Sequence, residues 1–204
     1  MGFVAVVDYG MGNLDSVRRA FEVAGARVVV TGDPADLAGA DRIVLPGVGA
    51  FGVAMDHLRS RGLDEALDEQ VAAGAPVLGI CLGMQLMATT GTEHGDHTGL
   101  GWIDARVVRL EPDERDTRVP HVGWNEVDPV GDHPLLAGVD AGSDFYFVHS
   151  YHVVCDRPST ARATTPYAGG FTSVVGAGST VGVQFHPEKS QQVGQVVIRN
   201  FLRL

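Results

Sequence analysis

The sequence predicts an α/β fold: a mainly parallel open sheet flanked by helices, with antiparallel strands added in its second half. Two patterns predict it. Over residues 3–90, short apolar runs alternate with stretches whose apolar residues recur at helical spacing, the βα rhythm of a parallel sheet. Over residues 107–185, strand-like runs follow one another with Gly, Pro and Asp turns between them and no helical stretch, as antiparallel ribbons do. The chain has 204 residues, 45% hydrophobic and 20% charged, enough for a sizeable core and consistent with a single domain over residues 1–204.

In chain order, the apolar run 3–8 reads as the first strand and ends at the Gly-rich turn Tyr9-Gly10-Met11-Gly12-Asn13. A helix follows with Leu14, Val17, Phe21 and Ala24 on one face, and Gly25 stops it. Residues 27–31 form a second strand, Asp33-Pro34 opens a short turn or helix, and residues 41–46 form a third strand leading into Gly47-Val48-Gly49-Ala50-Phe51. One or two helices span 53–73. Residues 76–80 make a fourth strand that runs into Cys81 and a helix expected to reach about residue 90. Residues 92–101 are polar and Gly-rich and read as a loop. Strands are expected at 107–110, 118–127, 145–148, 151–155, 161–165, 171–175 and 181–185. A closing helix covers about 190–203, with Val193, Val196, Val197 and Phe201 facing inward.

Composition excludes several functions. Against 15 Lys and Arg stand 25 Asp and Glu, a formal charge of −10, which disfavours non-specific binding to nucleic acid or to anionic membranes. No apolar run reaches the ~18 residues of a membrane span. The N-terminal segment has no basic start and reads as a strand rather than a signal peptide. Two cysteines, Cys81 and Cys155, make no disulfide framework and suit a reducing, cytoplasmic setting.

The sharpest local feature is Gly79-Ile80-Cys81-Leu82-Gly83. An apolar strand, a sharp turn carrying a nucleophile between glycines, and a helix form a nucleophile elbow, here with sulfur in place of oxygen. The helix N-terminus favours a thiolate at Cys81, and the N–H of Leu82 can face an oxyanion. Taken alone, the segment also fits a buried structural cysteine entering a helix. A cysteine nucleophile needs a base, and the base an orienting group. Gln184-Phe185-His186-Pro187-Glu188 supplies both: in an extended segment His186 and Glu188 face the same way, so Glu188 can fix the tautomer of His186. Pro46-Gly47-Val48-Gly49 follows the third strand, at the same carboxyl edge as Cys81, and can offer backbone N–H groups to an anion.

Other segments carry weaker signals. Glu93-His94-Gly95-Asp96-His97 has metal-ligating residue types but lies in a Gly-rich loop without the scaffold that a metal site needs, so no metal is expected. His57 and His133 read as surface residues. His121, His149 and His152 lie in strands near the predicted site, either as structural residues or as ligand contacts. Cys155 reads as a small buried hydrophobe. The turn at residues 9–13 is similar to a phosphate-binding turn but lacks the full Gly-x-Gly-x-x-Gly pattern.

Gly79-Ile80-Cys81-Leu82-Gly83-Met84-Gln85 and Gln184-Phe185-His186-Pro187-Glu188, in this order and spacing, resemble the signatures of the class I (triad) glutamine amidotransferases. Further segments are similar to one branch of that family, the glutaminase subunits of imidazole glycerol phosphate synthases. They are Asp8-Tyr9-Gly10-Met11-Gly12-Asn13-Leu14, Pro46-Gly47-Val48-Gly49-Ala50-Phe51, Pro120-His121-Val122-Gly123-Trp124-Asn125, Phe145-Tyr146-Phe147-Val148-His149-Ser150-Tyr151 and His186-Pro187-Glu188-Lys189-Ser190. The resemblance runs essentially end to end. Residues 111–118 and 92–97 contribute nothing to it.

The resemblance implies a flavodoxin-like domain without a cofactor that hydrolyses L-glutamine to glutamate and ammonia. It implies Cys81 as nucleophile, His186 as proton shuttle, and Glu188 as the group orienting His186. It implies the N–H groups of Leu82 and Val48 as oxyanion donors, with the Val48 peptide reorienting between idle and active states. Gly49, Gln85, Ser150 and Tyr151 would hold the head group of glutamine. The implied partner is a (β/α)8-barrel cyclase subunit that receives the ammonia in a heterodimer, with Asn13 and Lys189 near the interface. Three alternatives stand beside this reading: the glutaminase subunit of pyridoxal 5′-phosphate synthase, a stand-alone hydrolase of γ-glutamyl compounds, and a non-catalytic binding module on the same scaffold.

Overall fold

The computed structural model describes residues 2–204. Its centre is a parallel sheet of five strands: β1 (Val4–Val7), β2 (Val28–Thr31), β3 (Arg42–Gly47), β4 (Val77–Cys81) and the late strand β13 (Thr180–Val183), in the order β2-β1-β3-β4-β13. With β13 as the fifth strand this is the 2-1-3-4-5 order of a flavodoxin-like sheet.

Alternate residues of each strand feed opposite cores, because successive strand side chains point to opposite faces. Val4, Val6, Val44, Leu78, Ile80, Val181 and Val183 pack with α1 (Leu14–Val23) and α6 (Gln191–Phe201), where Phe21 meets Phe201 edge to face at 6.2 Å. Ala5, Val7, Ile43, Leu45 and Val77 pack on the other face against α2 (Pro34–Leu37), α3 (Phe51–Ser60), α4 (Leu63–Ala72) and α5 (Leu82–Leu86). Burial on both faces explains why these strands read as continuous apolar runs.

The remaining strands are β5 (Ala88–Gly91), β6 (His97–Thr98), β7 (Ile103–Arg109), β8 (His121–Pro129), β9 (Ser143–His149), β10 (Tyr151–Cys155), β11 (Ala161–Thr165) and β12 (Phe171–Ala177). β12 pairs antiparallel with β13 and β10, and β10 with β7, which extends the parallel sheet. β8 and β9 form an antiparallel ribbon in full register, His121 opposite His149 and Asn125 opposite Phe145.

Three local expectations differ from the structure. The helix after Cys81 stops at Leu86 rather than near residue 90, and Ala88–Gly91 instead runs parallel to β7. Within 92–101, His97–Thr98 pairs with β5. On α6, Val197 and Phe201 are buried together with Gly194, Ile198 and Asn200, and Val193 and Val196 pack half-buried against the same core, as expected. His57, His133 and Cys155 are all half-buried: His57 Nδ1 donates to the carbonyl of Tyr9 at 2.9 Å, and His133 Nδ1 accepts the N–H of Leu135 at 3.2 Å.

Candidate active site

Three neighbouring strands end at the same place. Gly47, last in β3, lies opposite Cys81, last in β4, and β13 beside it leads directly into Gln184, Phe185 and His186. Parallel strands lie about 4.8 Å apart, so residues just beyond their carboxyl ends become neighbours however far apart they are in sequence.

Cys81 sits in a strained turn, at φ 54° and ψ −110°, a region an L-residue rarely occupies. The elbow is tight: a Cβ at Gly83 would strike the carbonyl of Leu45, and one at Gly79 would lie 2.6 Å from the N of Met84. Cys81 is 6% exposed. Its thiol faces the carbonyl of Val148 at 3.9 Å, and Gln184 Nε2 donates to the sulfur at 3.7 Å.

His186 precedes a 3-10 turn, Pro187–Lys189. The expectation of one extended run from His186 to Glu188 is therefore incorrect. His186 is extended, but Pro187 starts a helical turn, as its fixed φ favours. Glu188 reaches back over that turn, and His186 Nδ1 donates to its Oε1 at 2.7 Å. Both side chains are buried, 4% and 1% exposed. His186 Nε2 and Glu188 Oε2 have no hydrogen-bond partner. Burial opposes the charged imidazolium, but the neighbouring Cys81 and Glu188 side chains outweigh it and push the pKa of His186 up to about 9. Tyr9, fully buried on the other side, has its phenol pKa raised by burial and by the charge of Cys81.

Supporting bonds hold this turn. The N–H of His186 donates to the carbonyl of Tyr146 at 2.9 Å. Ser190 Oγ donates to the carbonyl of His186 at 2.7 Å and accepts the N–H of Tyr146 at 3.0 Å, tying the turn to β9.

In front of Cys81 lies a cavity of about 440 Å³. Val48, Gly49, Leu82, Gln85, Ser150 and Tyr151 line it, together with Ala50, Glu93, Pro120, Val148 and His149. Gly49 takes φ +111°, so the loop after β3 uses a conformation open mainly to glycine. Asn13 and Lys189 are exposed and line no part of this cavity. Asn13 Oδ1 accepts the N–H of Ser16 at the start of α1, and Lys189 Nζ lies 5.6 Å from the ring centroid of Tyr146.

Sequence reasoning assigned no role to Glu93. It is the only carboxylate among the lining residues, and its Oε2 accepts the N–H of Phe51 at 2.8 Å, capping α3 just after the Gly47–Ala50 loop. Ala50, the residue before α3, has no side chain to do so. The segment from Glu93 to His97 folds on itself, with His97 Nε2 donating to the carbonyl of Glu93 at 3.0 Å, and no metal-binding group of side chains occurs among the described residues.

A second histidine cluster lies beside the site. His149 Nδ1 donates to the carbonyl of Tyr151 at 2.8 Å, so its Nε2 must accept, and His121 Nδ1 donates to it at 3.1 Å. His121 Nε2 then accepts from Asn125 Nδ2 at 3.1 Å. The backbone carbonyl thus sets both tautomers. His121 stacks on Tyr167 at 3.9 Å between ring centroids. Burial lowers the pKa of His149 to about 3 and that of His121 to about 4.

A buried thiol, an imidazole beside it and a carboxylate on the far ring nitrogen can together perform nucleophilic acyl transfer. The described residues contain no helix long and apolar enough to cross a membrane.

Comparisons with known proteins give the family. Residues 5–204 match the family model described as Glutamine amidotransferase class-I. Over its whole length the chain is 51% identical to "Imidazole glycerol phosphate synthase subunit HisH" of Symbiobacterium thermophilum, covering 95% of that protein. It is 46% identical to the protein of the same name from Salinibacter ruber, covering 98% of this chain and 93% of that protein. A glutamine amidotransferase structure from Thermotoga maritima, 17% identical, shares the fold with a TM-score of 0.71, covering 99% of this chain and 96% of that one. The chain therefore belongs to the class I glutamine amidotransferase family.

Proposed function

We propose that this chain is the glutaminase subunit of an imidazole glycerol phosphate synthase, residues 1–204 forming one glutamine amidotransferase domain. The observation that carries the chemistry is the buried Glu188–His186 pair next to the strained Cys81, which lines the cavity. The subunit assignment rests on the full-length similarity to relatives that bear that name.

In this reading Cys81 Sγ, its proton passed to His186 Nε2, attacks the carboxamide carbon of glutamine. The N–H groups of Leu82 and Val48 bind the oxyanion, and preorganised donors of this kind contribute about 10² to 10³ in rate each. His186 returns the proton to the departing ammonia, leaving a glutamyl thioester. Water then attacks, giving its proton to His186, and glutamate leaves as the thiol reforms. Glu188 holds His186 in the tautomer that keeps Nε2 towards sulfur and stabilises the imidazolium. Glu93 and Gln85 offer acceptors for the α-ammonium of glutamine, and Gly49, Ser150 and Tyr151 complete the head-group site.

The ammonia passes to a (β/α)8-barrel cyclase subunit in a cytoplasmic heterodimer. There it enters phosphoribulosyl-formimino-aminoimidazole-carboxamide ribonucleotide to give imidazole glycerol phosphate and an aminoimidazole carboxamide ribonucleotide, a step of histidine biosynthesis. Asn13 and Lys189 contact that subunit.

The test is glutamate release from glutamine, with and without the cyclase and its nucleotide ligand. Strong stimulation that vanishes in Cys81→Ala is the expected result. Full activity without any partner supports a stand-alone hydrolase instead, and no activity under any condition supports a binding module.

A further inference from the structure

Gln184 lies behind the sulfur, fully buried and two residues before His186. A buried carboxamide must satisfy both of its ends, and which end faces sulfur decides what it can do. The backbone determines the answer. The carbonyl of Tyr151 can only accept, and Gln85 Nε2 lies 2.9 Å from it, so Gln85 turns its NH2 that way. The same NH2 lies 3.0 Å from Gln184, which must answer with Oε1. Its own NH2 is then left facing Cys81 Sγ at 3.7 Å. A peptide carbonyl thus orients two amides in series, and the second presents a donor to the nucleophile.

We propose that Gln184 is a positioning residue for Cys81: its N–H···S hydrogen bond holds the sulfur in place and stabilises the thiolate, with the amide oriented by Gln85 and the Tyr151 carbonyl. The need follows from the surroundings. Cys81 is nearly closed to water, and apart from the His186 imidazole the other polar group on its sulfur is the carbonyl of Val148, an acceptor that offers a thiolate nothing. A donor gains strength when its acceptor becomes charged, so Gln184 favours the thiolate over the thiol, and over the thioester that follows. The inference rests on the glutaminase reading for its catalytic consequence, but not for the contact itself.

Two variants test it. Gln184→Glu keeps shape and the acceptor for Gln85 but replaces the donor with a carboxylate, and Gln184→Met removes the donor without adding charge. Losing a hydrogen bond to a charged sulfur reduces the thiolate fraction by about tenfold to a hundredfold. The thiolate that remains is more nucleophilic, which restores about half of that loss on a logarithmic scale. Alkylation of Cys81 by iodoacetamide at neutral pH, read by peptide mass so that Cys155 is scored separately, should therefore slow by about three- to tenfold in Gln184→Met, and by more in Gln184→Glu. With the cyclase present, kcat should fall in step while KM changes by less than about twofold. An unchanged Cys155 rate shows that the fold is intact, and Gln184→Met alone carries the test if Gln184→Glu opens the core. Alkylation of Cys81 at the wild-type rate in an intact variant, or a loss confined to KM, overturns the proposal. If the wild type releases no glutamate with its partner, the glutaminase reading fails, while the alkylation result still judges Gln184.

Discussion

Two buried histidine clusters stand side by side in this protein, and their proton affinities shift in opposite directions. His186 is pushed up to about 9, whereas His149 falls to about 3. Desolvation is the first cause in both and acts against the imidazolium in both. The difference lies in the neighbours. His186 has the Glu188 carboxylate at 2.7 Å and the Cys81 sulfur beside its other nitrogen. His149 has a neutral carbonyl and the imidazoles of His121, His152 and His186, which repel a proton on it. Burial alone makes a histidine inert, and a buried acid beside it makes the histidine a proton carrier.

The largest expected effect separates the two clusters by activity. Cys81→Ala should lower partner-stimulated glutamate release by about four orders of magnitude or more, because members of such a unit fail together. Glu188→Gln comes next. An amide can donate to His186 Nδ1 and impose the wrong tautomer, so kcat should fall by about 10³ to 10⁴ with little change in KM. By contrast, His149→Phe should lower kcat by less than about tenfold while destabilising the fold by about 1–3 kcal/mol, since it strands the Nδ1–H of His121 and removes one of the two donors to the Tyr151 carbonyl. A His149→Phe enzyme as dead as Glu188→Gln would break the comparison and place the second cluster in the chemistry.

The smallest effect is in pH dependence, and its sign differs between the clusters. His186 binds its proton more tightly when folded, so its contribution to stability is complete below pH 6.5 and is lost as pH rises toward about 9. His149 resists protonation when folded, so its contribution is complete above pH 6.5 and is lost as pH falls toward about 3. Urea midpoints measured at pH 5, 7 and 9 should be highest near neutrality. His186→Gln should flatten the alkaline side and His149→Gln the acid side. Flattening of the same side by both variants would contradict the opposed shifts.

The difference between the clusters also marks how far the sequence was legible. Cys81, His186 and Glu188 stood out because each sits in a short motif whose local geometry follows from its own neighbours. Even there the route was misread: a helical turn, rather than an extended strand, brings Glu188 to His186. His121 and His149 were recognised only as strand residues near the site, because their pairing depends on the register of β8 against β9, which no local pattern encodes. Residues 88–90 were read as helix for the same reason, since their strand character comes from parallel pairing with β7. Glu93 and Gln184 carried no assigned role. A capping carboxylate 42 residues from its helix, and an amide oriented by a carbonyl beside a distant strand, leave no trace in spacing.

By itself the sequence determined the alternation of strands and helices, the two-sided burial of the central strands, and the elbow that exposes a nucleophile. These follow from hydrophobic periodicity and glycine placement within windows of a dozen residues. Only the tertiary structure decided which strand ends meet, which amide end faces sulfur, and which histidine gains an acid and which does not. Those outcomes depend on register and on burial by residues remote in the chain. Buried polar groups must also find partners wherever the fold supplies them.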